Sequence, residues 1–354
     1  KDGYIVNANN DFGTVSIDGK LGDDHWYLGG PWVLGYRAKA IAERVAEAVK
    51  IGKADVAKMS EIQGTTASSL GEQYVPTLLA AIDKAKKASA ASDDAGKRLH
   101  ALYLSEQVTM DVVALRLTAW QARGYPAESG VETFYHQPTA EQKTDAVATM
   151  LTNAWLTEVL HQVYDDEDVP FNAMVALRGL GTLLGGRGAD NPQKLGSWKK
   201  ETGESVLFDV VGTPVVERSD ELILLGLTEA LKRLRAPPAE PGIGGFGTWD
   251  ITQWRWGLRH ALHLDSILAT FLTGVPGLST LTAMFAINTD VVPLAETIPA
   301  KDPRKNLMGF PRPGDYGAVD AAHPNAIRSA KFPDSGGRDF RYAHGPIMRM
   351  GIGL

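Results

Sequence analysis

The sequence predicts a mainly α fold with short β segments at both ends. Three observations carry that reading. Between Tyr36 and Arg235, apolar residues recur with a helical period in one block after another. After about residue 270 the period fades into short runs and turns, as in PRPGDYGAVDAAHP and RDFRYAHGPIMRM. Strand-like runs stand at the two extremes, Tyr4-Ile5-Val6 and Ile347 to Leu354. Strands are therefore expected before about residue 20 and after about residue 270. The chain divides into a strand-and-loop segment at 1–35, a helical lobe at 36–270, and an irregular region with C-terminal strand segments at 271–354.

The first element is YIVNANNDFG, where a short apolar run ends in Asn7, Asn9 and Asn10. Amides favour turns because their side chains bond nearby backbone groups. A plain strand end is one reading of the cluster; an amide NH2 presented to a ligand is the other. Residues 36–52 form a helix with Ile41, Val45, Ala48 and Val49 on one face and Gly52 as its stop. Residues 55–62 form a short helix, and 68–91 a long one that contains Pro76. The small, polar stretch from Lys86 to Lys97 is an exposed loop. Residues 98–123 form one helix carrying Leu102, Val108, Val112, Leu115 and Leu117. Residues 139–163 form another, with Val147, Met150, Leu151, Ala154, Trp155 and Val159 on one stripe and Thr139 with Gln142 as a capping box. Two more helices are expected at 170–185 and 217–235, separated from their neighbours by the Gly/Pro-rich stretches GGRGADNPQKLG and RAPPAEPGIGGFGTW.

Composition narrows the function. A hydrophobic content of 44% in 354 residues leaves ample material for a core. Net charge is −6, so neither nucleic acid nor an anionic membrane is expected as a partner. The chain has 0 cysteines, which excludes disulfides, thiolate metal sites and cysteine nucleophiles. Both extremes are strand-like where domains ordinarily end in polar residues, so the chain is expected to be a piece of a longer polypeptide.

Three clusters suggest chemistry, and each has a plainer reading. His260, His263 and Asp265 in RHALHLD could share a metal from one helix, but no complete ligand set accompanies them, and a structural role fits better. Asp165, Asp166, Glu167 and Asp168 lack the spacing of a Ca²⁺ loop and read as a solvated acidic turn. GIGGFG follows a Pro-rich loop instead of a strand, so it is no phosphate cradle.

Six segments, in order, resemble the penicillin acylase (penicillin amidase) family of N-terminal-nucleophile hydrolases. They are YIVNANND, WVLGYRAKAIAERV, SEIQGTTASSLGEQYVPTLL, WDITQWRWGLRHALHLD, GDYGAVDA and HGPIMRM. The resemblance implies the helical lobe of an αββα sandwich and cleavage of a linear or cyclic amide. In that family a Ser freed by self-cleavage attacks the carbonyl, and its own α-amino group is the base. An Asn side chain supplies one oxyanion donor. By position in the motif that Asn is Asn9, with Asn10 the rival if the register slips by one. Arg37 corresponds to an arginine near the active site, and Asp24, beside Asp23, to a ligand of a structural Ca²⁺ held by some members.

The resemblance also implies partners and a location. The Ser nucleophile, the backbone oxyanion donor and most sandwich strands belong to the rest of the same precursor, its α chain and the N-terminal part of its β chain. This chain alone is then inactive. The substrate is a small N-acyl amide, such as an acylated β-lactam or an N-acyl homoserine lactone, and the compartment is the periplasm or the cell exterior. A reading from another class is a helical binding or interaction module without catalysis.

Overall fold

A computed structural model describes residues 4–8, 35–133, 136–167, 173–240, 242–262, 310–319 and 340–342. More than half of the described residues are helical. Helix α1 spans Tyr36–Lys50 and buries only Ala38, Ala40 and Ala48. Its expected apolar stripe is therefore peripheral: Val49 is exposed. Helix α2, Val56–Gln63, starts where Asp55 accepts the Lys58 N–H at 2.7 Å. Helix α3, Ser69–Lys87, is capped by Ser68 and turns Leu70, Tyr74, Val75, Leu78 and Ile82 into the core.

The next stretch differs from expectation in two ways. The loop expected from Lys86 to Lys97 is mostly helical: a 3₁₀ turn at Ala88–Ala90 is followed by α4, Asp94–Ser105. Asp93 accepts the Gly96 N–H at 3.1 Å, so the acidic pair reads as a helix cap. The single helix expected at 98–123 is two, α4 and then α5, Gln107–Ala122. The chain breaks at Glu106, where φ is −136° and ψ is 26°. Its carboxylate receives both terminal nitrogens of Arg235, at 2.5 and 2.8 Å. The break changes the helical phase. Met110, Val113, Leu117 and Trp120 face the core, while Val108 and Leu115 face solvent at 79% and 72% exposure.

Helix α6, Ala140–Tyr164, is the central pillar. Thr139 and Gln142 exchange both bonds of the expected capping box, and every residue of the expected stripe is buried. Helix α7 spans Ala173–Gly185, and α8 spans Ser219–Arg235. Trp155 of α6 donates its indole N–H to the Ile223 carbonyl of α8 at 3.0 Å. One core cluster runs from Leu70 through Trp120, Trp155, Leu227 and Trp254 to Tyr316 and Phe340.

Among the described residues strands are short, and only Phe310–Pro311 falls where the sequence places one, after about residue 270. β1 (Trp198–Lys199) pairs with β2 (Glu204–Ser205), β3 (Pro238–Glu240) with β4 (Ile243–Gly244), and β5 (Ala261–Leu262) with β6 (Phe310–Pro311), all antiparallel. Five of these six lie between 198 and 262, inside the expected helical lobe. One Gly/Pro-rich connection, RAPPAEPGIGGFGTW, folds back on itself as the β3–β4 hairpin, while the β1–β2 hairpin lies just after GGRGADNPQKLG. Tyr4–Ala8 is not a strand: residues 4–7 carry no regular structure and Ala8 is a bend. A strand exists through its pairing, and an apolar run alone does not supply that. The expected strand from Ile347 to Leu354 lies outside the described residues.

Candidate functional site

Ser68 stands where the chain enters α3. Its Oγ accepts the Gly71 N–H at 3.0 Å and donates its own proton to Oδ2 of Asp315 at 2.6 Å. Asn153, on α6, donates to the same Oδ2 at 3.2 Å. The Gly317 N–H reaches Oδ1 at 2.9 Å. Asp315 has no exposed surface, so this carboxylate is spent entirely on tying together α3, α6 and the turn at 314–318. Burial pushes its pKa up, and the hydrogen bonds pull against that rise. The same turn is gripped twice more. Ser69 Oγ donates to the Gly317 carbonyl at 2.6 Å, and the Trp256 indole N–H donates to the Gly314 carbonyl at 2.7 Å.

Tyr36, the first residue of α1, meets this junction from its other side. Its ring lies edge-on to Tyr316 with centroids 6.3 Å apart, and its hydroxyl is 2.8 Å from that of Tyr74 on α3. Four of the six segments quoted above thus contribute to one junction: the start of α1, the start of α3, the turn before β5 and the turn at 314–318. Within it, Ser69 and Gly317 are 248 residues apart in the chain.

The junction has no nucleophile. Ser68 is buried, its proton is committed to a carboxylate, and its lone pair is committed to a helix terminus. It holds structure. The cluster at His260 does likewise. His260 is buried, stacks on Trp256 with centroids 4.4 Å apart, and its Nδ1 lies 2.7 Å from the Phe340 carbonyl. A carbonyl only accepts, so the proton is on Nδ1. The described part of RHALHLD is not helical: it follows a 3₁₀ turn at Trp256–Leu258 and runs into β5. His263 and Asp265 lie outside the described residues.

The acidic turn is solvated but tethered, and its Asp168 lies outside the described residues. Asp165 is 2.7 Å from His161 Nδ1, and Asp166 accepts the Val211 N–H at 2.6 Å. In GIGGFG, Arg259 donates from Nε to the Gly244 carbonyl at 2.9 Å and from Nη2 to the Gly245 carbonyl at 2.6 Å. These carbonyls are occupied by the protein's own cation, and burial depresses the Arg259 pKa to about 10. A cavity of about 330 Å³ lies between α6, α8 and this glycine turn. Its charges pair among themselves, Arg233 with Glu158 at 3.1 Å and Lys232 with Glu229 at 3.2 Å.

Of the sequence-predicted site residues, Arg37 lies in the first turn of α1 and is half-buried, next to Tyr36 at the junction. Asn9, its rival Asn10, and Asp24 with Asp23 lie outside the described residues. Among the described residues no three acidic or histidine side chains gather where they could hold a metal ion. Sequence reasoning missed Asp315, Asn153, Ser68 and the pair Tyr36–Tyr74. The signals available were the Gly-Asp pair in GDYGAVDA and a Ser-Ser pair ahead of an apolar helix, and neither names its partner.

The family model for penicillin amidase matches residues 1–354. The chain belongs to the penicillin amidase family. No curated protein and no solved structure matches it. Amide hydrolysis is the activity of the penicillin amidase family, and four of the six segments that resemble it meet at one junction in this chain. Among the described residues of this penicillin amidase family member, no helix is long and apolar enough to cross a membrane.

Proposed function

We propose that this chain forms part of an N-acyl amide hydrolase, with Asn9 as the side-chain donor of the oxyanion hole and Arg37 as a substrate-side cation. The observation that carries the reading is the family match over residues 1–354. The convergence of four family segments beside Arg37 supports it. The nucleophile is a Ser supplied by another segment of the same precursor, and its free α-amine is the base. An α-amine titrates near pH 8 and can take the hydroxyl proton at neutral pH. Attack on the amide carbonyl places negative charge on its oxygen. The Asn9 NH2 donates to that oxygen only as the charge develops, which lowers the barrier instead of tightening substrate binding. Collapse expels the amine, and water then releases the acid from the acyl-enzyme.

The helical lobe stands beside the αββα sandwich in this reading, in a compartment outside the cytoplasm. Asp24 is a ligand of a structural Ca²⁺ that enters no chemical step; metal content of the purified protein, compared with Asp24→Ala, checks it.

The decisive experiment is Asn9→Ala in the intact, processed enzyme. kcat should fall about 100- to 1,000-fold with KM nearly unchanged. Asn9→Asp should be at least as damaging, because a carboxylate repels the oxyanion. Asn10→Ala should act only through turn stability, at about 1 kcal/mol or less. Full activity in Asn9→Ala beside a dead Asn10→Ala moves the donor to Asn10. If neither substitution matters, the amide cluster is only a turn.

A further inference from the structure

Helix α4 is attached differently from its neighbours. Of its 12 residues only Leu99 and Tyr103 are buried, against 17 of the 25 in α6. Leu102 adds a half-buried contact with the core. So thin an apolar face gives a helix little hold on the surface beneath it. A cleft of about 440 Å³ also opens under its first half, between Gly96 and Leu99 of α4, Lys84 and Lys87 of α3, and Asp220 and Glu221 of α8. The first half of α4 therefore stands off α8 instead of closing on it.

Charged bonds supply the hold, and they stand at the two ends. In the first half, Arg98 Nε donates to Glu221 Oε1 at 2.7 Å and Nη2 donates to Oε2 at 3.1 Å. The same Nη2 reaches the Val216 carbonyl at 2.9 Å. Just past the other end, Glu106 takes its two bonds from Arg235. Glu221 lies in the first turn of α8 and Arg235 is its last residue, so the two ties fasten α4 to opposite ends of one helix. Both acids are largely withdrawn from water, with side chains 4% and 20% exposed. Bidentate bonds between charged groups are strong and fixed in direction, and the loss of one partner strands the other. The other polar contacts are single: the Tyr103 hydroxyl donates to Asp111 at 3.0 Å, and His100 Nδ1 lies 2.9 Å from the Ala85 carbonyl. Each end of α4 is also a joint. The 3₁₀ turn at Ala88–Ala90 and the exposed Ser92 and Asp93 precede it, and the break at Glu106 follows it.

We infer that α4 is a clasp: Arg98–Glu221 and Glu106–Arg235 hold it shut, and it opens as a unit from α3 and α8 while α6 and α8 stay folded. Opening withdraws two buried side chains and leaves the α6–α8 seam untouched. It uncovers the apolar surface of α3 and α8 beneath Leu99 and Tyr103 and joins the cleft to solvent. The inference does not rest on the reaction proposed above.

The test is amide hydrogen exchange, read by mass spectrometry on the intact, processed enzyme in urea below its unfolding transition. Peptides from α4 should exchange at least about 100-fold faster than those from α6, at a rate that barely depends on urea, because a local opening exposes little new surface. Arg98→Met and Glu106→Gln each remove one tie. Each should speed exchange in α4 about tenfold and leave α6 within about twofold of the parent. Exchange of α4 at the rate of α6, with the same dependence on urea, overturns the inference from the parent protein alone, whether or not the variants fold. Equal acceleration of α4 and α6 in both variants assigns the ties to global stability and overturns it too. Unchanged α4 exchange in both variants shows that the ties do not hold the helix shut, and overturns it likewise.

Discussion

Gly226 and Gly317 both stand where a side chain would not fit, and they serve different kinds of contact. A Cβ at Gly226, on α8, would lie 2.6 Å from Val159 Cγ2 and 2.9 Å from the Val159 nitrogen. The missing side chain lets two apolar helices close on each other. A Cβ at Gly317 would lie 2.5 Å from the Leu70 nitrogen and 2.8 Å from the Ser69 nitrogen. There the missing side chain lets a carbonyl reach the start of α3. The seam between α6 and α8 is held mainly by excluded water and dispersion, which are strong in sum and indifferent to small rotations. The junction around Asp315 and Tyr36 is held by hydrogen bonds, which are modest in net energy and strict about direction. A fold can take its stability from the first kind of contact. A turn that must meet a helix start at one angle needs the second.

Trp155→Ala should show the largest effect, because it empties a buried indole volume and removes the indole's bond to the Ile223 carbonyl. A loss of about 3–5 kcal/mol is expected by urea denaturation. A loss under about 1 kcal/mol would mean that the α6–α8 seam is not the energetic centre. Gly226→Ala should cost about 1–3 kcal/mol by overpacking, even though alanine favours helix. In the intact enzyme Gly317→Ala should do the reverse of Gly226→Ala, losing more activity than stability, since it displaces the turn that braces Tyr36. Equal patterns in the two glycine variants would erase the distinction drawn between seam and junction.

Two carboxylates sharpen the comparison through pH. Asp315 has its pKa raised by burial. An acid raised on folding contributes most below its unfolded pKa, about 4, and that contribution is lost as pH rises through the folded value. Asp315→Asn cannot suffer that loss, so its stability relative to the parent should improve as pH rises above about 4. Glu106 has its pKa lowered, chiefly by its hydrogen bonds to Arg235. Its contribution is present above the unfolded value and lost as pH falls through the folded one. Glu106→Gln should therefore fall further behind the parent as pH rises. Urea midpoints across the acid range check both, and parallel curves would show that neither carboxylate carries the linkage assigned to it. The smallest effect should come from Val108→Ala. That residue lies on the solvent face of α5, and a change within about 0.5 kcal/mol is expected.

Local chemistry was legible in the sequence because its partners are close along the chain. Thr139 and Gln142 are three residues apart and form the capping box that their identities require. The apolar stripe from Val147 to Val159 needs only the helical period to select its buried face. The same logic failed at Glu106, because the break there answers to Arg235, 129 residues away. It failed again in RAPPAEPGIGGFGTW, where composition reported a turn but not the ladder of Pro238–Glu240 on Ile243–Gly244. The candidate site was legible in part. Family resemblance drew attention to Arg37 and to the Gly-Asp pair, and the family match bears out the resemblance. No pattern in the sequence could say that the carboxylate of Asp315 would receive Ser68 from 247 residues away and Asn153 from 162. Nor could it say that the hydroxyls of Tyr36 and Tyr74 would meet at 2.8 Å across α1 and α3. A hydrogen bond requires a particular partner at a particular angle, and for residues this far apart only the packed helices bring the two together.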